Sequence, residues 1–189
     1  DIASIQVYEE TGGVKPGEPV KGTGRTLSVE LGPGVLKSIY DGIQRPLPKL
    51  KDESGDFISR GLTADPLDYN MEWYFKPTVK TGEIVSGGNT IGVVSETSMI
   101  SHKILLPPTL KMGKLSFVAE EGKYKINDVI GKIRYNNKEE NITMTHSWPV
   151  RRPRPFIKKI GMNVPLITGQ RIFDTFFPIA KGGVAAIPG

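Results

Sequence analysis

The chain has 189 residues, 38% hydrophobic and 24% charged, with 22 glycines, 15 prolines and no cysteine. This length and balance fit a globular protein with a real core, and the glycine and proline content favours short strands joined by tight turns. Disulfides and thiolate metal sites are excluded, and no apolar run approaches the ~20 residues of a membrane helix. The net charge of +5 comes from lysines and arginines scattered among acids, with little aromatic interleaving, so nucleic acid is not expected as a partner.

Residues 1–24 read as the last strand of an N-terminal sheet and its exit loop. Ile2, Ile5 and Val7 are its apolar positions, and Gly12, Gly13, Pro16, Gly17 and Pro19 break the pattern. No signal peptide precedes this alternation, and a chain opening at Asp1 in mid-strand reads as trimmed there. Residues 26–31 alternate as a strand, and 35–40 are expected to form a short helix after Pro33 and Gly34, with Gly42 at its end. Pro46, Leu47 and Pro48 lead away from this piece, and residues 51–56 read as a polar turn.

Residues 52–147 read as almost entirely β, with Trp73, Tyr74 and Phe75 opening a strand. Residues 82–92 are then echoed by 122–131. Each unit is a turn glycine, a short alternating strand, a second turn and an Ile-Gly pair, Ile91-Gly92 and Ile130-Gly131. A repeat of this length reports one supersecondary unit used twice. It points to two small interlocked sheets, each shielding the apolar face of the other.

Residues 141–147 are expected to add a strand, and 151–155 to form an extended basic linker, because repeated proline excludes helix. Thr168 suits the N-cap of a helix whose buried stripe would be Ile172, Phe173, Phe176 and Phe177. Lys181, Gly182 and Gly183 read as its glycine-closed C-terminus, followed by a short strand running into Pro188 and Gly189.

Catalytic constellations are scarce. His102 and His146 lack metal-ligand spacing, and His102 reads as a hydrogen-bonded structural histidine. With no cysteine and no nucleophile elbow, covalent catalysis has no candidate. The pairs Asp52-Glu53, Glu120-Glu121 and Glu139-Glu140 read as solvated loop charge. Arg151, Arg152 and Arg154 carry bidentate donors suited to phosphate, but a linker or inter-subunit contact is the stronger reading. Asn141-Ile142-Thr143 matches a glycosylation sequon and reads as strand sequence. A strand running into glycine is how phosphate-binding loops begin. Such a loop needs GxxxxGK[ST], and only a first glycine, Gly189, is present. The chain therefore reads as stopping at the threshold of a nucleotide site, with no catalytic residue and no metal ligand of its own.

Three blocks carry a resemblance. Near the start are Gln6-Val7-Tyr8-Glu9-Glu10-Thr11 and Ser28-Val29-Glu30-Leu31-Gly32-Pro33-Gly34, continuing through Ser38-Ile39-Tyr40-Asp41-Gly42-Ile43-Gln44-Arg45-Pro46-Leu47. Later comes Trp148-Pro149-Val150-Arg151. The tail supplies Pro165-Leu166-Ile167-Thr168-Gly169-Gln170-Arg171, Asp174-Thr175-Phe176-Phe177-Pro178 and Lys181-Gly182-Gly183. In this order the blocks resemble the catalytic A subunits of V/A-type ATP synthases, the archaeal form most closely.

The resemblance implies a mainly β chain in four parts. Residues 1–24 would end an N-terminal β-barrel, and 25–51 would begin an α/β P-loop nucleotide-binding domain. Residues 52–147 would be the inserted non-homologous (bulge) region, a barrel-sandwich-hybrid-like β domain, and 148–189 the return to the P-loop. Gly189 would be the first P-loop glycine, with the lysine, the magnesium hydroxyl and the general base beyond it. The full-length parent would then couple ATP synthesis or hydrolysis to ion transport, using Mg-ATP or ADP. This stretch would bind no cofactor and be inactive alone. Implied partners are B subunits alternating in a hexameric ring, peripheral-stalk subunits at the bulge and central-stalk subunits, on the cytoplasmic side of the cell membrane.

The inserted region also resembles lipoyl- and biotinyl-type domains, whose modified lysine sits on a hairpin between the half-repeats. Here Glu96-Thr97-Ser98-Met99-Ile100 fills that stretch. Met99 takes the lysine position, and Lys103 lies beyond the expected tip. The fold is expected to be shared and the carrier chemistry not, so a carrier or unrelated interaction domain stands as the alternative.

Overall fold

The structure, a computed structural model, describes residues 5–156, 158–186 and 188. The chain forms two compact units, Asp1–Pro153 and Arg154–Gly189. In the first, the alternating segment after Thr26 forms β1 (Ser28–Leu31), and a 3-10 turn (Val35–Lys37) and α1 (Leu47–Ser54) follow. Nine strands complete this unit: β2 (Glu72–Pro77), β3 (Ile84–Val85), β4 (Thr90–Ser95), β5 (Ser101–Leu105), β6 (Gly113–Val118), β7 (Gly122–Lys125), β8 (Gly131–Tyr135), β9 (Lys138–Ile142) and β10 (His146–Pro149).

Strands β2 to β9 make two four-stranded sheets, ordered β5-β4-β2-β7 and β3-β6-β8-β9. Matching β2 with β6, β3 with β7, β4 with β8 and β5 with β9 turns the first order into the second read backwards. The repeat seen in the sequence is therefore a repeat of topology. Its two short strands are exchanged: β3 pairs with β6 and β7 with β2. The turns repeat as well. Asn89 Oδ1 accepts the Ser86 N–H at 2.8 Å, and Asp128 Oδ2 accepts the Lys125 N–H at 2.7 Å. Short polar side chains closing their own turn in this way explain why Asn and Asp stand there. After each bend the Thr78 and Ala119 N–H groups donate to Ile91 and Ile130 carbonyls, at 3.0 and 2.8 Å.

Period-two alternation sends Phe75, Val94, Ile104, Leu115, Ile133 and Ile142 inward, where all are buried in one core with Ile91, Ile126 and Ile130. Burying each contributes about 1.5–3 kcal/mol, which neither half-repeat gains alone. Strands β1 and β10 pair antiparallel from Ser28↔Pro149 to Leu31↔His146, forming a two-stranded stem at which residues 32–145 leave and return.

Several expectations are corrected. No strand forms in residues 5–24. This segment has no sheet partner among the described residues, and is held by Arg60, whose Nη1 donates to the Gly12 carbonyl at 2.6 Å while Nη2 pairs with Glu10. Ile2 lies outside the described residues. The helix expected over 35–40 shrinks to one 3-10 turn, with Ser38 already extended. Residues 47–54 are helical, so most of the polar turn expected over 51–56 is the end of a helix. Pro46 and Pro48 flank its start, where a missing N–H costs nothing, and Gly55 closes it at φ 75° by donating to Lys51 O. Residues 141–147 are not one strand, since β9 ends at Ile142 and β10 begins at His146.

The second unit contains β11 (Pro165–Leu166), α2 (Arg171–Phe176) and β12 (Ile179–Ala180), with β11 and β12 paired antiparallel. Thr168 is not the N-cap; Gln170 is. Thr168 instead belongs to a loop tied to Asp174, which accepts its N–H at 2.9 Å and its hydroxyl at 2.7 Å, and the Gly169 N–H at 3.0 Å. The helix stops before Pro178, so Lys181 and Gly182 turn the chain after β12 and do not end the helix, and residues 183–186 form no strand. Ile172, Phe173, Phe176 and Phe177 are all exposed rather than a buried stripe.

Candidate functional site

The β4–β5 hairpin carries the position where a carrier domain would present its lysine. Its tip is closed by the Glu96 and Thr97 N–H groups donating to Ile100 O, at 3.1 and 3.3 Å. Thr97 Oγ1 accepts the Met99 and Ile100 N–H groups at 3.3 and 3.0 Å. Met99 projects from this tip 92% exposed. A thioether offers no amine to acylate, so Met99 cannot stand in for a carrier's lysine.

Beneath the tip, Glu96 is only 2% exposed. Its Oε1 accepts the Gly34 N–H at 2.9 Å and the Leu36 N–H at 3.0 Å, while Oε2 lies 2.5 Å from His102 Nδ1. The receiving turn begins at Gly34, whose φ of 102° is open to glycine and strained for other residues. On its other side the turn packs on Trp73, and Lys37 Nζ sits 4.8 Å over that ring. A buried carboxylate thus fastens the hairpin to the segment leaving the stem. Tyr40, half-buried nearby, donates to Pro66 O at 2.8 Å, and burial followed by the Glu96 charge pushes its hydroxyl pKa up. His102 is hydrogen-bonded, as its structural reading expects, with its Nδ1 on Glu96.

A second cluster centres on Arg45. Its Nε donates to Asp41 Oδ2 at 2.7 Å, and its Nη1 donates to Glu9 Oε1 at 3.0 Å and Leu62 O at 2.9 Å. The Gly61 N–H and then the Arg45 guanidinium hold the Glu9 carboxyl below its ordinary value. For Asp41 burial pushes upward, but the Arg45 N–H, its guanidinium and the Ile43 N–H outweigh it and leave the carboxyl depressed. Depressed carboxyls stabilise the fold fully above their unfolded values of about 4, and this contribution is lost as pH falls through the lower folded values. Arg45→Met is expected to move both carboxyl midpoints upward in an NMR titration; unchanged midpoints would refute the network.

A cleft of about 480 Å³ beside β1 is lined by Arg25, Glu30, Gln44, Arg45, Asp65 and Tyr69, among others. Its polar groups are largely engaged with one another. Tyr69 donates to Glu30 Oε2 at 2.5 Å, and burial and then the Glu30 carboxylate push the tyrosine pKa up. The Gln44 amide accepts the Glu30 N–H and donates to the Glu30 carbonyl, each at 2.6 Å, so it stands in for a strand along the free edge of β1.

The acidic pairs are not all loop charge. Asp52 and Glu53 lie in α1, and Glu139 and Glu140 in β9. Glu139 accepts from Ser116 Oγ at 2.7 Å and pairs with Arg134 and Lys132, while Glu140 accepts the Tyr135 hydroxyl. Glu121 accepts from Tyr74 at 3.1 Å. Arg152 lies in a turn, not an extended linker: its N–H donates to Pro149 O, its carbonyl accepts Trp148 Nε1, and its guanidinium lies 5.4 Å from that ring centre. Among the described residues no group of three His, Asp or Glu converges to hold a metal ion, and no helix is long and apolar enough to cross a membrane. Gly189 lies outside the described residues. Sequence reasoning missed Glu96, Gln44 and Arg45 as organising groups, because each also joins a segment well away in the chain: Gly34 for Glu96, Glu30 for Gln44 and Glu9 for Arg45.

Residues 64–151 match the family described as the ATP synthase alpha/beta subunit barrel-sandwich domain, and this is the region of the two sheets with exchanged strands. Relatives extend the match to both flanks. The A subunit of the A-type ATP synthase of Desulfurococcus sp. (strain SY) is 60% identical across 100% of the chain. The chain matches the A subunits of A-type ATP synthases along its whole length. Those of Thermococcus sibiricus and Pyrococcus abyssi are 58% and 57% identical, again over 100% of the chain. The chain spans 32% of the length of the Desulfurococcus and Thermococcus proteins and 19% of the Pyrococcus one. The resemblance carried by the sequence blocks and the two-sheet fold therefore agree, and the carrier alternative is not favoured.

Proposed function

We propose that this chain is part of the catalytic A subunit of an A-type ATP synthase, which couples ATP synthesis or hydrolysis to ion transport. Within it, residues 52–147 form the inserted bulge, and 25–51 and 148–189 border the nucleotide-binding domain, after the end of an N-terminal barrel in 1–24. The match to A-type ATP synthase A subunits over the whole chain carries this reading. The bulge docks peripheral-stalk subunits. This role asks for a rigid projecting surface and no catalytic group, in keeping with a hairpin whose tip carries Met99 in place of a lysine and is pinned by Glu96.

In the assembled complex the protein would alternate with B subunits in a hexameric ring, meet central-stalk subunits and lie on the cytoplasmic side of the membrane. Gly189 would open the phosphate loop for Mg-ATP. The chain alone is expected to show no ATPase activity and no stoichiometric Mg-ATP binding by calorimetry. Micromolar, magnesium-dependent binding would overturn that expectation. Purified peripheral-stalk subunits are expected to retain the chain in a pull-down, and failure to do so would remove the docking role.

A further inference from the structure

The outward face of the β3-β6-β8-β9 sheet sets a band of cations beside two apolar side chains at its β3–β6 border. Register places Ile84, Lys114, Arg134 and Glu139 in one row across it, and Phe117, Lys132 and Asn141 in the next. Leu115 and Ile133, between these rows, point into the core, which fixes the rows as outward. Ile84 is 73% exposed and Phe117 43%. Glu139 is the one carboxylate in the two rows and is shared by Lys132, Arg134 and Ser116. Lys114 has no ion-pair partner among the described residues. The equivalent face of β5-β4-β2-β7 also carries lysines, Lys76, Lys103 and Lys123. The aliphatic side chain there, Val93, is only partly exposed, and the exposed Tyr74 is already engaged by Glu121.

Exposed apolar side chains beside a charged band give the mixed apolar and polar surface of a protein interface. A nucleic-acid face would instead spread cations along a groove, with stacked aromatics or base contacts. Resting on the docking role above, we propose that this face is the docking surface and that its occupant is an acidic, amphipathic segment of the partner protein. Its apolar side chains cover Ile84 and Phe117, and its carboxylates answer Lys114, Lys132 and Arg134. The excess of cations on the face sets the sign of the partner.

The test titrates the isotope-labelled full chain with a synthetic acidic helical peptide, leucines on one side and glutamates beside them, and separately with purified peripheral-stalk subunits. Amide shifts are expected to cluster at Ile84, Lys114, Phe117, Lys132 and Arg134, and binding to weaken roughly tenfold between low and high salt. The triple variant K114E/K132E/R134E should bind at least ~30-fold more weakly. K76E/K103E/K123E, with the same change in charge on the other sheet, should stay within ~threefold. Unchanged melting temperatures would show that both variants fold. Peptide shifts elsewhere, or equal losses in both variants, overturn the face. Stalk binding that survives K114E/K132E/R134E also overturns it while leaving the docking role intact. Peptide binding at the face with no stalk binding supports the face and refutes the stalk as partner. Displacement of the peptide by duplex DNA would overturn a protein occupant.

Discussion

Glu96→Ala is expected to lower the unfolding free energy by about 3 kcal/mol, because it strips the acceptor from two backbone N–H groups and the partner from His102 at once. The Gly34 and Leu36 N–H groups and His102 all converge on a carboxylate that is 2% exposed. An alanine fills none of the vacated space and leaves those groups without their protein acceptor. Glu96→Gln keeps the shape and one carbonyl oxygen for the two amides but loses the charge. It should cost about half as much, since hydrogen bonds to ionised acceptors are roughly twice as strong as neutral ones. Urea unfolding of the two variants measures the difference. Hydrogen exchange adds a local readout, because the Gly34 and Leu36 amides should lose protection in both variants ahead of the core strands. An alanine variant within about 0.5 kcal/mol of the parent would show that the clamp is ornamental.

Gly92→Ala should be nearly as damaging, at about 2–3 kcal/mol. A Cβ built at Gly92 would lie 2.2 Å from Phe75 Cε2, 2.5 Å from its Cζ and 2.8 Å from Lys76 O. Phe75 is fully buried and cannot swing aside into solvent. The topological counterpart Gly131 supplies an internal control, since its added Cβ would come no nearer than 3.3 Å to Phe117 O. Gly131→Ala should therefore cost less than half as much in the same urea titration. Phe75→Leu combined with Gly92→Ala should recover part of the loss by shortening the opposing side chain. Equal costs at the two glycines would mean that the clash, and with it the packing of Phe75 against β4, is misread.

The sheets were legible because their signals are local. Alternation around Trp73 and Phe75, the echo of 82–92 in 122–131 and the turn residues Asn89 and Asp128 each act over a few positions. The exchange of β3 and β7 was not legible, since two residues of strand hold no record of which neighbour they join. Helix α1 was hidden by Pro46 and Pro48, which read as breakers unless their place in the first turn is known. The apolar side of α2 was legible as a pattern, yet burial depends on what packs over a helix, which its own sequence does not state, and these side chains are exposed. Glu96 looked like one acid in a hairpin loop. Its importance comes from two backbone amides some sixty residues upstream, which no local motif announces.

The exchanged strands also govern the order in which the molecule can be made. As the chain leaves the ribosome, β2, β4 and β5 are complete well before β7, so their sheet waits with an open edge. The short β3 has nothing to join until β6 arrives, nearly thirty residues later. Neither half can rest as a finished intermediate, and the module must close in a single late step once both halves are present. A nascent chain stalled within residues 96–112 should thus remain sensitive to protease, whereas one carried past β9 should become resistant all at once.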